Sequence, residues 1–251
     1  DDVEALVGQP TPEIYSAEAS LFVLRAGVAL LENQLADFLY LSLTDYMQHK
    51  FAPDETESLD FHRAMDVELA RLTGSGAVVA ATADHGMNAK NLPDGSPNVI
   101  YLETMLTSQF GQGIKVICPI TDPYVAHHGA LGSLVMVHLP DEMNRAAIAG
   151  WILELPGVSE VHDRATAAEQ LELPADRIGD LTVLSDRHVV LGRTPADHDL
   201  QLLSGGLRSH GGRYEEMVPL LFSHPLNEHY LARAGDDPRN FDIFEFACHG
   251  V

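Results

Sequence analysis

The chain has 251 residues, of which 45% are hydrophobic and 21% are charged, a composition that excludes a disordered or low-complexity protein. Fifteen Lys and Arg residues against thirty-seven Asp and Glu residues give a formal net charge of −22, which disfavours binding to nucleic acid or to an anionic membrane. The absence of any apolar run of about 18 residues predicts a soluble chain. Cys118 and Cys248 each lie in an apolar run. They predict reduced, buried thiols and therefore a cytoplasmic location.

The N-terminal part of the chain alternates helical patterns with short apolar runs. Ser16 is typical of an N-cap and begins an amphipathic helix, and a second helix is predicted over 60–72. Phe38–Leu43 and Ala77–Ala83 are apolar runs of strand length that lead directly to polar and acidic residues. We therefore predict an α/β fold with a mostly parallel sheet flanked by helices and a polar site at the carboxyl ends of the strands.

The sequence pattern changes near Gly113. From there the predicted short strands and helices no longer alternate regularly, as the helical patterns and apolar runs of the N-terminal part do. We predict that residues 113–205 form an inserted α+β cap subdomain. Residues 1–112 and 206–251 would then form the metal-binding α/β core, which the chain leaves and re-enters at the cap.

Three short motifs combine the carboxylates and imidazoles that divalent metals prefer. Asp45 and His49 stand four positions apart, so that both side chains can lie on one face of a helix. Asp84 and His85 are adjacent at the end of the second apolar run, and His210 precedes two glycines. Together they provide two carboxylates and three imidazoles, enough for one three-ligand metal site and half of a second one.

Each motif also has an interpretation without metal. Asp45 and Asp84 would then be helix N-caps, and His210 would lie in a surface loop whose glycines provide the turn. Among the cations close to these motifs, Lys50, Arg208 and Arg213 are candidates for binding the oxygens of an anionic substrate, although solvation is the commoner fate of such side chains.

The three motifs, T-D-Y-M-Q-H-K, T-A-D-H-G-M and S-H-G-G, resemble the alkaline phosphatase superfamily. In that superfamily an early Asp and a Thr or Ser nucleophile precede D-x-x-x-H, D-H-G, a cap insertion and a late His. The resemblance implies an alkaline phosphatase-like core and two zinc ions. It implies that Asp45, His49 and His210 bind one zinc, while Asp84 and His85 help to bind the other.

The amino-acid sequence around the motifs is most similar to that of the superfamily members that cleave phosphonates. This resemblance implies zinc-dependent hydrolysis of the C–P bond of phosphonoacetate to acetate and phosphate. The expected partner is a small-molecule phosphonate, and a homodimer is compatible with the sequence. His127 and His128 in the cap are candidates for contacting the substrate carboxylate, the alternative being a solvated loop.

Two other functions stay open. Phosphodiesterases, nucleotide pyrophosphatases and other phosphoryl-transfer enzymes of the superfamily share these ligands, so the ligands alone do not separate the substrates. A function of another class is that of a non-catalytic metal-binding fragment.

The early Asp and the nucleophilic Thr of the superfamily have no counterpart before Asp45. Glu4 and Thr11 do not replace them, because residues 1–16 show no strand followed by a nucleophile-bearing helix. We expect both groups upstream of residue 1, and we expect residues 1–251 to be inactive by themselves.

Overall fold

The computed structural model describes residues 3–119, 130–201, 203 and 205–251. The chain divides into two compact units. The first unit consists of the residues up to Asp84 together with Met217–Val251, and the second consists of His85–Glu216. The predicted cap, residues 113–205, falls within the range of the second unit.

The first unit is mainly helical. Its elements in chain order are α1 (Val3–Val7), α2 (Ala17–Glu32), α3 (Tyr46–Lys50), α4 (Thr56–Gly74), β1 (Ala80–Thr82), β10 (Leu220–Phe222), α8 (Glu228–Ala234) and α9 (Ile243–His249). The helix predicted after Ser16 is confirmed, because the Ser16 hydroxyl accepts a hydrogen bond from the Ala19 amide at 3.3 Å. The apolar faces of α2, α3 and α4 form one core, in which Leu24, Val28 and Phe61 are buried.

The strand predicted at Phe38–Leu43 is wrong. This segment has no strand assignment in the described chain, and Phe38 and Tyr40 are 65% and 72% exposed. A strand is stabilised by backbone hydrogen bonds to a neighbouring strand, and apolar composition alone does not supply that neighbour. The apolar run at 77–83 does contain a strand, β1, which pairs antiparallel with β10.

The second unit contains a four-stranded antiparallel sheet with helices packed on it, and its strands lie in the order Lys115–Ile117, Leu134–His138, Leu181–Ser185 and Val158–Asp163. The elements of this unit are β2 (Asn88–Ala89), β3 (Val99–Tyr101), α5 (Leu102–Phe110), β4 (Lys115–Ile117), β5 (Leu134–His138), α6 (Arg145–Leu153), β6 (Val158–Asp163), α7 (Arg164–Gln170), β7 (Leu181–Ser185), β8 (Val190–Gly192) and β9 (Arg208–Ser209). Leu106 of α5 and Ile152 of α6 are fully buried in its core, beside Val135 and Val183 of the sheet. The shorter pairs β3 with β8 and β2 with β9 complete the unit.

The α/β class is confirmed by this mixture of helices and open sheets. Among the described strands, parallel pairing is limited to β3 with β8, which is less than the apolar runs predicted. All five residues of β7 are buried although both of its neighbours are antiparallel. Burial on both faces is therefore not restricted to parallel strands in this unit.

Both cysteines are free thiols. Cys118 is half-buried, and burial raises the pKa of its thiol to about 11. The predicted burial of Cys248 is wrong, because α9 buries Ile243 and Phe246 and leaves Cys248 exposed. Among the described helices, none combines the length and apolar character needed to cross a membrane.

Asp180 holds several segments of the second unit together. Its carboxylate accepts a hydrogen bond from the Leu139 amide at 2.8 Å, and Arg145 and Arg164 each lie 3.3 Å from it. Burial acts to raise the pKa of Asp180, but the bond from Leu139 and the two cations outweigh it and hold the pKa below the ordinary value of 3.8. Folding is therefore coupled to the ionised form of this carboxyl.

We expect Leu106→Ala to lower the free energy of unfolding by about 2–5 kcal/mol, because it removes a fully buried side chain from the core. Leu153→Ala is the matched control, since Leu153 is 53% exposed, and it should change that energy by less than about 0.5 kcal/mol. Urea denaturation followed by circular dichroism measures both values. Equal losses would contradict the placement of the core.

We expect Asp180→Asn to destabilise the chain near pH 7, where the native carboxylate is ionised. A depressed pKa contributes stability that is complete above the unfolded value and is lost as the pH falls through the folded value. The difference in unfolding free energy between the two proteins should therefore shrink below pH 3.8. Urea denaturation at several pH values measures it, and a difference that grows with acid would contradict the assignment.

Candidate metal centre

Asp45 and His49 form a close pair in the first unit. Asp45 stands at the N-cap position of α3, yet among the described residues its side chain caps no amide of that helix. Its Oδ2 atom lies 3.1 Å from Nε2 of His49, one helical turn further on. The His49 side chain is 2% exposed and that of Asp45 is 25% exposed. The carboxylate is therefore directed to the imidazole, which disfavours the capping interpretation.

Asp84 lies two residues after the end of β1 and is exposed. The next element of the chain is a strand, β2, so in the described structure Asp84 does not begin a helix. The N-cap interpretation of this motif is therefore wrong, and the carboxylate follows the end of a strand as predicted.

His85 and His210 lie together in the second unit. Their rings are stacked, with centroids 3.5 Å apart and planes 2° from parallel. Nδ1 of His85 is 2.9 Å from the carbonyl oxygen of Gly86. Because a carbonyl can only accept, this nitrogen carries the proton, and in the neutral ring Nε2 is then the atom that can bind a metal. The second unit thus brings two predicted ligands from separate motifs into contact.

The loop after His210 is tightly packed. His210 is 8% exposed, and the amide of Ser133 donates to its carbonyl oxygen at 2.9 Å. Gly211 has a φ of +97°, a conformation that favours glycine. A Cβ atom at Gly212 would lie 2.7 Å from that of Ser133. The glycines do provide turn geometry, but the histidine is buried, which disfavours the surface-loop interpretation.

Sequence reasoning missed an ion pair in the same unit. Lys90 and Glu215 are 0% and 2% exposed, and Nζ lies 3.0 Å from Oε1. Burial lowers the pKa of Lys90, and the carboxylate of Glu215 acts in the opposite direction. The two residues are 125 positions apart in the chain, and neither belongs to a recognisable motif, so no local signal pairs them.

The remaining candidates are placed less directly. His127 and His128 lie outside the described residues. The Lys50 ammonium lies 4.9 Å from the centre of the Tyr46 ring, and Arg213 pairs with Glu160 at 3.1 Å. Arg208 belongs to β9. Lys50 and Arg213 therefore already have partners of their own in the described structure.

Comparison with solved structures shows a strong likeness to one enzyme. Two structures of phosphonoacetate hydrolase from Sinorhizobium meliloti 1021, in complex with phosphonoacetate and with phosphonoformate, are each 43% identical to this chain. They match 98% of this chain with TM-scores of 0.87 and 0.88. This chain spans 59% of the length of that enzyme.

Murine ectonucleotide pyrophosphatase/phosphodiesterase 5 shares the fold, with 16% identity and a TM-score of 0.51 over 84% of this chain and 53% of its own. The family model of type I phosphodiesterase/nucleotide pyrophosphatase matches residues 25–212, a segment that includes all three motifs. The superfamily resemblance drawn from those motifs is thereby confirmed. The chain belongs to the type I phosphodiesterase/nucleotide pyrophosphatase family.

Proposed function

We propose that the complete protein is a zinc-dependent hydrolase that cleaves the C–P bond of phosphonoacetate to give acetate and phosphate. The observation that carries this proposal is the 43% identity to phosphonoacetate hydrolase over 98% of the chain. Because the chain spans 59% of that enzyme, the activity is assigned to the complete protein. The substrate is then a small-molecule phosphonate.

In this proposal Asp45, His49 and His210 hold one zinc ion, and Asp84 and His85 help to hold a second. The first set offers one carboxylate oxygen and two imidazole nitrogens, which are donors that zinc prefers. The 3.1 Å separation within the pair of Asp45 and His49 supports the assignment, because two ligands of one ion must have their donor atoms close together. The burial of His49 and His210 supports it too, since it limits competition by water.

Bound zinc would stabilise negative charge on phosphonate oxygens and lower the pKa of a coordinated hydroxyl group. The residues of this chain orient the ligands for that chemistry. The bond from His85 Nδ1 to the Gly86 carbonyl oxygen fixes the tautomer and the ring orientation. Cleavage of the C–P bond also leaves charge on the acetate portion of the substrate. We assign His127 and His128 to its carboxylate and place the nucleophilic Thr outside residues 1–251.

The second candidate is a phosphodiesterase or nucleotide pyrophosphatase with the same ligands. The family-model match over residues 25–212 favours it, because that family is described by those activities. A metal-binding chain without an activity of its own is the alternative of another class. The identity of the substrate distinguishes a phosphonate hydrolase from a phosphodiesterase or nucleotide pyrophosphatase. Turnover of any of these substrates distinguishes both enzymes from a metal-binding chain without activity.

We expect His49→Ala and His210→Ala each to weaken zinc binding by at least about 100-fold, because each removes a ligand atom. The measurement is a competition titration of metal-free protein against a chromophoric chelator. His229→Ala is the control, since His229 is an exposed histidine of α8. Its affinity should match that of the unchanged protein. Unchanged affinity in His210→Ala would remove this residue from the site.

We expect a chain extended upstream to release phosphate from phosphonoacetate, and the 251-residue chain not to do so, both with added zinc. Phosphonopyruvate, p-nitrophenyl phosphate and bis-p-nitrophenyl phosphate complete the substrate panel. Preference of the extended chain for bis-p-nitrophenyl phosphate would favour the phosphodiesterase. Comparable turnover by the 251-residue chain would place the nucleophile within it.

A further inference from the structure

We propose that Glu215 is a positioning residue that holds the His210 imidazole in place against His85, with Lys90 completing the arrangement. This inference rests on the proposed function, because it concerns how a metal-binding histidine is oriented. All the contacts that carry it lie within the second unit.

Glu215 binds both of the segments that carry the stacked histidines. On the side of His85, its carbonyl oxygen accepts from the amide of Gly86 at 2.7 Å, and Oε1 accepts from Nδ2 of Asn88 at 2.6 Å. On the side of His210, Oε2 accepts from the amide of Gly212 at 3.0 Å.

These contacts are close to the histidines along the chain. Gly86 directly follows His85, and Gly212 comes two residues after His210. The two segments also pair as β2 and β9, where Asn88 lies opposite Ser209. One side chain therefore fixes the distance between the two loops just beyond the point where the strand pairing ends.

Lys90 ties the same residue to a third segment. Its ammonium has three N–H donors, and its three contacts are Ser133 Oγ at 2.7 Å, the Arg187 carbonyl oxygen at 2.7 Å and Glu215 Oε1 at 3.0 Å. Ser133 in turn donates its amide to the carbonyl oxygen of His210. The cation thus links the carboxylate to the backbone that bears the imidazole.

The buried pair of Lys90 and Glu215 contributes little net free energy to folding. Removing both charges from water costs free energy that their attraction only partly returns, and an apolar pair of similar volume often stabilises a protein as well. A fully bonded polar network does, however, allow one geometry and penalise others. Geometry at His85 and His210 is therefore the property that the network provides.

Two substitutions test the role of Glu215. Glu215→Gln keeps the size of the side chain but replaces one acceptor oxygen by an NH2 group, which cannot accept a hydrogen bond. The three N–H donors that contact Glu215 then share one acceptor oxygen. Glu215→Asp keeps the charge beside Lys90 and withdraws the carboxylate from the Gly212 amide by one methylene, so it remains informative if the first variant does not fold. Asp180→Asn is the matched control. Like Glu215, Asp180 is a carboxylate of the second unit that accepts a hydrogen bond from a backbone amide and pairs with cations, which for Asp180 are Arg145 and Arg164.

The first measurement is the ¹⁵N and ring-proton NMR spectrum of the histidines in metal-free protein, which does not depend on zinc or on activity. We expect the His85 and His210 signals to move in both Glu215 variants, because the stacking changes, and to stay in place in Asp180→Asn. The second measurement is zinc affinity, which should fall by about 10- to 100-fold in both Glu215 variants and stay unchanged in the control.

The outcomes separate this inference from the proposed function. If His210→Ala loses zinc but both Glu215 variants keep their affinity and histidine signals, the positioning role is wrong and the metal assignment stands. If Asp180→Asn matches the Glu215 variants in both measurements, their effect is general destabilisation and the role is again wrong. If His210→Ala keeps its zinc affinity, His210 is not a ligand and both proposals are overturned.

Discussion

The ammonium group of Lys90 is fully buried, and the segments of the second unit that meet around it must supply its hydrogen-bond acceptors. A buried cation requires a counter-charge and an acceptor for each N–H donor. Glu215, Ser133 and the carbonyl oxygen of Arg187 meet this requirement, and they come from three separate parts of the chain. Two of these residues, Glu215 and Ser133, also form hydrogen bonds with the segments that bear His85 and His210. A structural requirement and a candidate functional geometry thus depend on one network.

In the first unit, two candidate ligands are brought together by contacts that are local in the chain. Asp45 and His49 are brought together by a single turn of α3, whose buried Met47 anchors that turn in the core formed with α2 and α4. Four-residue spacing on a helix makes such a pair nearly independent of the rest of the fold. The pair Asp45 and His49 is therefore set by helical spacing, and the pair His85 and His210 by a long-range network.

Membership of the type I phosphodiesterase/nucleotide pyrophosphatase family constrains the fold more tightly than the reaction. The candidate ligands in the three motifs do not by themselves distinguish a phosphonate from a phosphodiester. Selectivity within such a family is expected from the residues that contact the rest of the substrate.

The sequence by itself determined the features that depend on neighbouring residues. The capped helix at Ala17–Glu32 and the contact between Asp45 and His49 depend on residues within a few positions of one another. The positive φ of Gly211, directly after His210, is likewise a local feature that a glycine in the sequence indicates. The motifs also led to the superfamily, and the family match agrees with them.

Only the tertiary structure decided which segments meet. The pairing of Lys90 with Glu215 joins residues 125 positions apart, and the stacking of His85 on His210 is equally remote in sequence. The run at Phe38–Leu43, which has the composition of a strand but forms none in the described chain, shows the same limit. A strand or a buried ion pair exists only when another segment supplies its hydrogen-bonding partner, and where that segment is remote in the chain, composition and periodicity do not specify it.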